Sequence, residues 1–342
     1  MQYKRIAIDT SKSVFTLHGV DASEQVILRG DYSRTKFQRF FQKLPPTEVV
    51  MEACGGSHHW GRTLATMGHR VKLIPPQYVK PFVKRGSKND RNDAQAIADA
   101  ASRPSMSYVA VKSAEQQADA MVMRVRELLV RQRTQLVNAL RGHAAEFGEV
   151  TGKGLGKVSA LLTRLAANEA IPEPARRMMA FLGEEIARLD ERLATLDRQL
   201  QVQHAASPLS QLLVQIPGIG PISALTLATT VEPAHFASGR HFSAWLGLTP
   251  RQNSSGGKQR LGGISRQGNE RLRQLLVVGA MAVIRQAKLG SKNASPWLLE
   301  LLKRRPTKVA AVALANKMAR IAWAMMTSGE AYRGASASPK AA

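Results

Sequence analysis

The sequence has 342 residues, of which 49 are Lys or Arg and 25 are Asp or Glu, so its formal net charge at pH 7 is +24. That charge favours a polyanionic partner such as nucleic acid and argues against a small acidic metabolite. Cys54 is the single cysteine, which excludes an intramolecular disulfide and a cysteine zinc cluster. The 44% hydrophobic content is enough for two or three packed units.

The charge is unevenly distributed along the chain. It is +8 in residues 1–110, +2 in residues 111–200 and +14 in residues 201–342. The two ends are therefore the predicted anion-binding parts. The start "MQYKRIAID" lacks the apolar stretch of a signal peptide, and the apolar run "LLVVGAMAVI" is about half a membrane span. We expect a cytoplasmic bacterial protein, associated with the nucleoid and without a membrane partner.

Residues 1–110 predict a mixed α/β domain. Three short strands come first and form an antiparallel meander, and an amphipathic helix with Phe37, Phe40 and Phe41 on one face follows them. Next come strand, helix, strand and helix, the order of a sheet with helical crossovers. The segments in chain order are "KRIAID", "SVFTLHGV", "QVILRGDY", "RTKFQRFFQKL", "TEVVMEA", "HHWGRTLATM", "RVKLI" and "KNDRNDAQAIADA".

The rest of the chain predicts an all-α structure. Residues 111–206 contain one helix over 114–148 and a second whose apolar residues keep a three-four spacing over three heptads. That spacing predicts a coiled coil, within the chain or between subunits, with an ordinary helical bundle as the alternative. Residues 207–330 predict a helical C-terminal domain, and the small, polar residues 331–342 predict a disordered tail. The heptad positions are Met179, Leu182, Ile186, Leu189, Leu193, Leu196 and Leu200.

Four acidic residues lie at predicted element ends. Asp9 ends the first strand, and Glu52 ends the fourth, where its apolar neighbours predict burial. Asp90 and Asp93 share a face at the start of the last helix, whereas Asp99 points away from them. Because the two strands are adjacent in a sheet of this order, the four carboxylates could meet at one end of the sheet.

A group of four carboxylates repels itself unless it takes up protons or binds cations. Mg²⁺ prefers carboxylate oxygen, and two ions about 3.5–4 Å apart can clamp a phosphodiester. The sequence therefore predicts a site for two Mg²⁺ ions. Taken singly, Asp9 could cap a turn, Asp90 could be a helix N-cap, and Asp93 could be a first-turn acid favoured by the helix dipole.

Two glycine-rich segments predict contacts with nucleic acid. The segment "IPGIGPISALTL" resembles a helix-hairpin-helix, in which Gly218 and Gly220 would let backbone N–H groups hold a phosphate; a tight turn without a ligand is the alternative. The loop "GLTPRQNSSGGKQRLGGISRQGNERLR" combines glycines with cations that would contact phosphates. These cations are Arg251, Lys258, Arg260 and Arg266.

Ser254 and Ser255 stand side by side in that loop. A serine hydroxyl is a poor nucleophile without a base or metal, and none is near in sequence. From composition alone the two serines are ordinary loop residues, and any activation must come from elsewhere in the chain.

Five motifs in this order resemble the DEDD transposases of the insertion sequence 110 family, which are related to pilin-gene invertases and are bridge-RNA-guided recombinases. The resemblance covers about residues 1–330. It implies a RuvC-like, RNase H-like domain over 1–110, with metal-binding acids at Asp9, Glu52, Asp90 and Asp93. The motifs are "IAIDTSK", "VVMEACGG", "KNDRNDAQAIA", "IPGIGPISA" and the serine loop.

The resemblance also implies a mechanism and partners. A serine of the C-terminal domain, matched to Ser255 with Ser254 as the alternative, joins covalently to DNA as phosphoserine. Donor and target DNA are paired with a structured guide RNA, so base pairing supplies the specificity. The acidic and serine sites are assembled between subunits of a homo-oligomer, either a dimer or a tetramer. Cys54 and the following "SHHW" depart from the family pattern and affect local packing only.

Two other functions are compatible with parts of the sequence. A RuvC-like nuclease would use the acidic residues alone and hydrolyse DNA junctions with metal-activated water. An architectural protein would use the hairpin and the basic loop to hold nucleic acid without catalysis. The four-acid pattern favours an enzyme over the architectural protein.

Overall fold

The computed structural model describes residues 2–83, 86, 89–258, 260–291 and 294–333. The chain divides between Ala118 and Asp119 into two units, which we call unit 1 and unit 2. The predicted domain divisions at residues 110 and 206 stay predictions. Most of the predicted disordered tail, residues 334–342, lies outside the described residues.

Unit 1 is built on a five-stranded sheet of order β3-β2-β1-β4-β5. The predicted meander is confirmed, since β2 is antiparallel to both β1 and β3, and β4 is parallel to β1 and to β5. The elements are β1 Arg5–Thr10, β2 Val14–Val20, β3 Val26–Ser33, α1 Arg34–Gln42, β4 Glu48–Glu52, α2 Ser57–Thr66, β5 Arg70–Ile74, α3 Pro76–Val79, a 3-10 turn Lys80–Phe82 and α4 Asp90–Ala101.

The two faces of this sheet pack against different helices. Ile8 and Met51 face a core that contains the large side chains Phe37 of α1 and Trp60 of α2. Ala7 and Val50, one position earlier on the same strands, face the opposite core, which contains α4. Because side chains alternate along a strand, the next residues of β1 and β4 on the α4 side are Asp9 and Glu52. The buried alanines of α4 let its backbone lie close to the sheet; they are Ala94, Ala96, Ala98, Ala100 and Ala101.

Unit 2 is almost entirely helical. Helix α5 begins in unit 1 and continues into unit 2. Among the described residues of unit 2, the one sheet is a hairpin of two short strands. The elements are α5 Ala114–Ala145, a 3-10 turn Leu155–Lys157, α6 Val158–Ala167, α7 Glu173–Ala206, α8 Pro208–Leu213, α9 Pro221–Thr230, a 3-10 turn Pro233–His235, α10 Gly239–Trp245, β6 Pro250–Gln252, β7 Leu261–Ile264, α11 Glu270–Lys288, α12 Pro296–Arg304 and α13 Thr307–Ser328.

Helices α5 and α7 are antiparallel neighbours in unit 2. Arg126 of α5 forms an ion pair with Asp197 of α7. About two helical turns further along α5, Arg133 forms an ion pair with Asp190 of α7. Five of the seven predicted heptad residues of α7 are buried, and Leu182 and Leu196 are half-buried. The heptad face is therefore covered within the chain, whereas the coiled-coil assignment stays a prediction.

The buried face of α5 differs from the predicted one. The three-four spacing of Val122, Val125, Leu129, Leu136 and His143 predicts that these residues share the apolar face of α5, but Val125 and His143 are exposed. The buried residues are instead Ala120, Met123, Val137, Leu140 and Ala144. The prediction was wrong because α5 carries apolar residues on more than one face, so spacing alone did not determine which face packs.

Helix α13 is the one described helix whose length and apolar composition would allow it to cross a membrane. This is weak support for a membrane segment, since a core helix has the same composition. Its buried residues belong to the largest hydrophobic core of unit 2, where α13 packs against α10 and α11.

Candidate functional site

The carboxyl end of β1 and that of β4 carry the two strand acids. Pairing of these parallel strands runs to Ile8 and Met51, and Asp9 and Glu52 are the next residues on each. Both are half-buried, so Glu52 is less buried than its apolar neighbours predicted. The reason is that Glu52 is the last residue of its strand, at the open end of the sheet.

Helix α4 brings two more carboxylates to the same edge. Its N-cap is Asn89, whose side-chain oxygen accepts the N–H of Asn92 at 2.8 Å. Asp90 therefore does not cap the helix. With Asp93 it forms the acidic first turn, where the helix dipole stabilises negative charge.

Three of the four predicted acids form one close group. One carboxylate oxygen from each of Asp9, Asp90 and Asp93 lies within 4.8 Å of the other two. We call these three residues the acidic group. Glu52 lies outside it, yet its charge interacts with those of Asp9 and Asp93. Asp99 is exposed and does not belong to the group.

Burial and mutual repulsion disfavour ionisation of the strand acids. Burial, followed by the charges of Asp90, Asp93 and Glu52, raises the pKa of Asp9 to about 6. Burial and the charge of Asp93 also raise the pKa of Glu52. Among the described residues, no Lys or Arg forms an ion pair with any of these four carboxylates. A cation from solution would relieve the repulsion.

An ion pair fixes the start of α4 to the sheet. Arg91 donates from Nη2 to Asp31 of β3 at 3.0 Å, and Thr16 of β2 donates to the same carboxylate at 2.9 Å. Sequence reasoning missed this contact, because nothing in the spacing of Asp31 and Arg91 indicates that they meet.

Both histidines after Glu52 lie outside the acidic group: His58 accepts the N–H of Lys112 at 3.1 Å, and His59 is exposed.

The serine loop of unit 2 is a β-hairpin formed by β6 and β7. At its tip Gly256 and Gly257 both have positive φ, and the N–H of Lys258 donates to the carbonyl of Ser255 at 3.1 Å. These features are those of a type I′ turn, for which Gly-Gly is suited. Ser255 is thus exposed at the first position of a tight turn.

The two serines have different surroundings. The Ser254 hydroxyl oxygen accepts the backbone N–H of Arg260 at 3.1 Å across the hairpin. The Ser255 hydroxyl makes no hydrogen bond within the described part of the chain. Ser254 therefore supports the loop, whereas the hydroxyl of Ser255 is available to a ligand.

The base of this hairpin is fixed by a buried arginine that sequence reasoning did not single out. Arg273 of α11 donates from Nη1 to the carbonyl oxygens of Gln267 at 2.8 Å and Leu246 at 3.1 Å. Gly268 has a φ of +68° and lies against the carbonyl of Trp245, where a Cβ would overlap it. The sequence gives no signal for this role of Arg273, because the role depends on contacts between its side chain and the carbonyl groups of Leu246 and Gln267.

The remaining predicted contact residues are distributed over unit 2. Arg251, Lys258, Arg260 and Arg266 are exposed on the hairpin and its base, and Arg266 adopts a left-handed φ of +58°. Gly218 has a φ of +92° and packs against Gly279 of α11, so a Cβ there would lie 2.9 Å from the Gly279 carbonyl oxygen. Gly220 is exposed and precedes α9. A phosphate-binding role for this turn stays a prediction.

Comparison with known proteins connects both units to transposases. The DEDD transposase family model of IS110 matches residues 6–147, and the Transposase IS116/IS110/IS902 family model matches residues 210–294. The Sinorhizobium fredii protein y4pF/y4sB, named a transposase, is 54% identical over 336 residues, which cover 98% of this chain and 87% of its own.

Two further relatives have comparable coverage. A Pseudomonas aeruginosa protein named a family 20 transposase is 49% identical over 337 residues, covering 97% of this chain and 99% of its own. The transposase for insertion sequence element IS1111A of Coxiella burnetii is 42% identical over 333 residues, covering 96% of this chain and 91% of its own.

The strand order of unit 1 and its acidic edge are consistent with the RNase H-like class of domains. The family matches and the relatives described above show that the chain belongs to the IS110 family of DEDD transposases. It is a DNA transposase, and a divalent metal is the cofactor that its family implies.

Proposed function

We propose that this transposase cleaves and rejoins strands of donor and target DNA with Ser255 as nucleophile and with Mg²⁺ held by Asp9, Glu52, Asp90 and Asp93. The observation that carries the proposal is the acidic group, in which oxygens from β1 and α4 lie within 4.8 Å of one another. Carboxylates held this close at one sheet edge repel one another, and a bound cation would remove that repulsion.

The four residues fit a divalent cation in charge and in donor type. All four supply carboxylate oxygen, the donor that Mg²⁺ prefers, and none is neutralised by a described Lys or Arg. Two Mg²⁺ ions held there would neutralise charge that develops on the attacking and leaving oxygens of a phosphodiester. The protein contributes the rigid strand ends and the helix start that hold the carboxylates in place.

Ser255 is the proposed nucleophile because its hydroxyl is exposed and unengaged among the described residues. In the cleavage step a bond forms between Ser255 Oγ and phosphorus, and the bond from phosphorus to one strand oxygen breaks. The serine proton ends on the departing strand oxygen. One phosphodiester is exchanged for another ester of similar energy, so a second strand can reverse the step and complete rejoining.

Guidance and assembly extend the proposal. A structured guide RNA would pair with donor and target DNA, and the basic C-terminal region, with a net charge of +14 over residues 201–342, would hold the nucleic-acid backbones. A dimer or tetramer would form through α5, on which Met121, Val125 and Leu128 are exposed at 61%, 41% and 47%. The protein would act in the bacterial cytoplasm, beside the nucleoid.

The test is to trap the covalent species. Wild-type protein is incubated with end-labelled donor and target DNA, Mg²⁺ and RNA transcribed from the DNA flanking the gene, and the products are separated under denaturing conditions. We expect a protein-linked DNA band with wild type and with Ser254→Ala, and none with Ser255→Ala. Strand cutting by Ser255→Ala at the wild-type rate would instead support a nuclease that uses metal-activated water.

A further inference from the structure

A second basic surface lies in unit 2, apart from the serine hairpin and from the turn at Gly218. It is an open cleft of about 780 Å³ between α10, the start of α12 and the middle of α13. Its cations are Arg240, Lys317 and Arg320, and Trp297 is an exposed aromatic residue in its wall. No acidic residue lines the cleft within the part of the chain that the structure describes.

The packing of α10 on α13 places two of these cations together. Gly239 is buried, and a Cβ there would lie 3.1 Å from the carbonyl oxygen of Arg320. Because glycine has no side chain, the start of α10 lies directly against α13 at this point. The side chains of Arg240 and Arg320 therefore start from adjoining backbone positions. Both are exposed, and neither pairs with a carboxylate among the described residues.

The Trp297 ring in the cleft wall already contacts a cationic side chain of the same chain. The Lys317 ammonium lies 4.4 Å from the centroid of the Trp297 ring, and 37% of that residue is exposed. A lysine side chain is flexible and its ammonium is strongly hydrated, so it can leave the ring at small cost. The ring then offers its face to a flat ligand.

We infer that this cleft binds single-stranded nucleic acid, with one unpaired base stacked on Trp297. The flanking phosphates pair with Arg240 and Arg320, and Lys317 moves from the ring to a phosphate. Stacking on an exposed aromatic residue within a basic groove is the general means of holding unpaired bases. A duplex keeps its bases stacked on one another, so it cannot use the ring in this way.

The cleft is joined to the segment that leads into the serine hairpin. Asn316, which lines the cleft, donates from Nδ2 to the carbonyl oxygen of Leu248 at 3.4 Å, and β6 begins two residues later at Pro250. A strand held in the cleft would thus be anchored on the same framework as the hairpin. This inference rests on the proposed function only in taking unpaired nucleic acid as a substrate or guide.

The test measures binding of short labelled strands to the full-length protein in EDTA. Three strands of equal length are compared: oligoadenylate, oligodeoxyadenylate and an abasic deoxyribose-phosphate strand. We expect Trp297→Leu to weaken binding of the two base-bearing strands roughly ten-fold and to leave the abasic strand unaffected. Arg240→Gln combined with Arg320→Gln should weaken all three strands. Leu299→Ala, an exposed residue of α12 outside the cleft, is the matched control and should bind as wild type.

Equal affinity of wild type and Trp297→Leu for the base-bearing strands would overturn the inference. Trp297→Phe keeps a ring and should retain most of the affinity, which separates stacking from a general disturbance of α12. Tighter binding of the ribose strand would support guide RNA as the natural ligand, and tighter binding of the deoxyribose strand would support unpaired donor or target DNA. Because no metal or strand cutting is involved, Ser255→Ala should bind normally. If wild type binds the base-bearing strands as expected but forms no covalent product with donor and target DNA, the cleft is upheld and the proposed function is overturned.

Discussion

Asp9 and Asp93 present carboxylate oxygens within 4.8 Å of each other, although Asp9 lies on the first strand of unit 1 and Asp93 on helix α4. The contact follows from two local rules. Strand alternation turns Asp9 toward α4, and the capping of α4 at Asn89 places Asp93 in its first turn. Two like charges this close at a half-buried position favour protonation or cation binding.

Replacing Asp9 should stabilise the metal-free protein at neutral pH. The folded-state pKa of Asp9 is raised to about 6 from its ordinary 3.8, so folding favours the protonated form. Protonation of Asp9 therefore contributes to the free energy of unfolding. This contribution is fully present below about pH 4 and is lost as the pH rises through the folded-state pKa of about 6. Asp9→Asn removes the charge, so in EDTA we expect a higher Tm than wild type at pH 7.5. At pH 4 the two should unfold at the same temperature; a gain that is equal at both pH values would contradict the electrostatic cause.

Mg²⁺ should stabilise wild type and not the acidic-group variants. A ligand at a hundred times its dissociation constant stabilises the folded state by about 2.7 kcal/mol. In thermal unfolding at pH 7.5, saturating Mg²⁺ should raise the Tm of wild type but not that of Asp9→Asn or Asp93→Asn. Asp99→Asn is the matched control on the same helix, since Asp99 is exposed and outside the group. An equal Mg²⁺ response in Asp93→Asn and wild type would place the metal elsewhere.

Arg273 should hold the base of the serine hairpin. Arg273→Met leaves the carbonyl oxygens of Gln267 and Leu246 without their donor, and we expect a loss of about 2 to 4 kcal/mol in the free energy of unfolding. Urea unfolding measures this loss. Arg251→Met is the control, because the exposed Arg251 makes only a 3.3 Å contact with the Ser265 carbonyl. Unchanged stability of Arg273→Met would mean that the hairpin base is held by other contacts.

The hairpin cations should contribute to the salt dependence of DNA binding. Each phosphate contact that is lost reduces the slope of log affinity against log salt by about 1. Arg260→Gln should therefore flatten this slope by about one unit, measured by fluorescence anisotropy with duplex DNA. Lys303→Gln should not, because Lys303 is already paired with Glu300 at 2.7 Å. The same slope for Arg260→Gln and wild type would exclude a phosphate contact at this position.

Much of unit 1 could be predicted from the sequence because its signals are local. Short apolar segments separated by turn-like residues predicted β1, β2 and β3. The five strands and the helices α1, α2 and α4 occur in the predicted order, whereas α3 and the 3-10 turn before α4 were not predicted. The edge that carries Asp9 and Glu52 followed from strand order alone. The degree of burial did not, since Glu52 is half-buried at the end of its strand.

What could not be predicted depends on contacts between segments far apart in the chain. The pairing of Arg91 with Asp31 and the two carbonyl contacts of Arg273 leave no periodic trace in the sequence. The buried face of α5 was misassigned for the same reason, because tertiary packing chose among several apolar faces. The different surroundings of Ser254 and Ser255 are visible only in the structure, where the Ser254 hydroxyl accepts a hydrogen bond across the hairpin.

The most direct test of the account is to locate the metal. Crystals of the protein with Mn²⁺, a substitute for Mg²⁺, would be measured at the manganese absorption edge. The account predicts anomalous peaks bounded by the carboxylates of Asp9, Glu52, Asp90 and Asp93, and no such peaks in Asp93→Asn crystals. Manganese bound only at other residues, in a protein that still cleaves DNA, would contradict the assignment of this edge as the catalytic metal site.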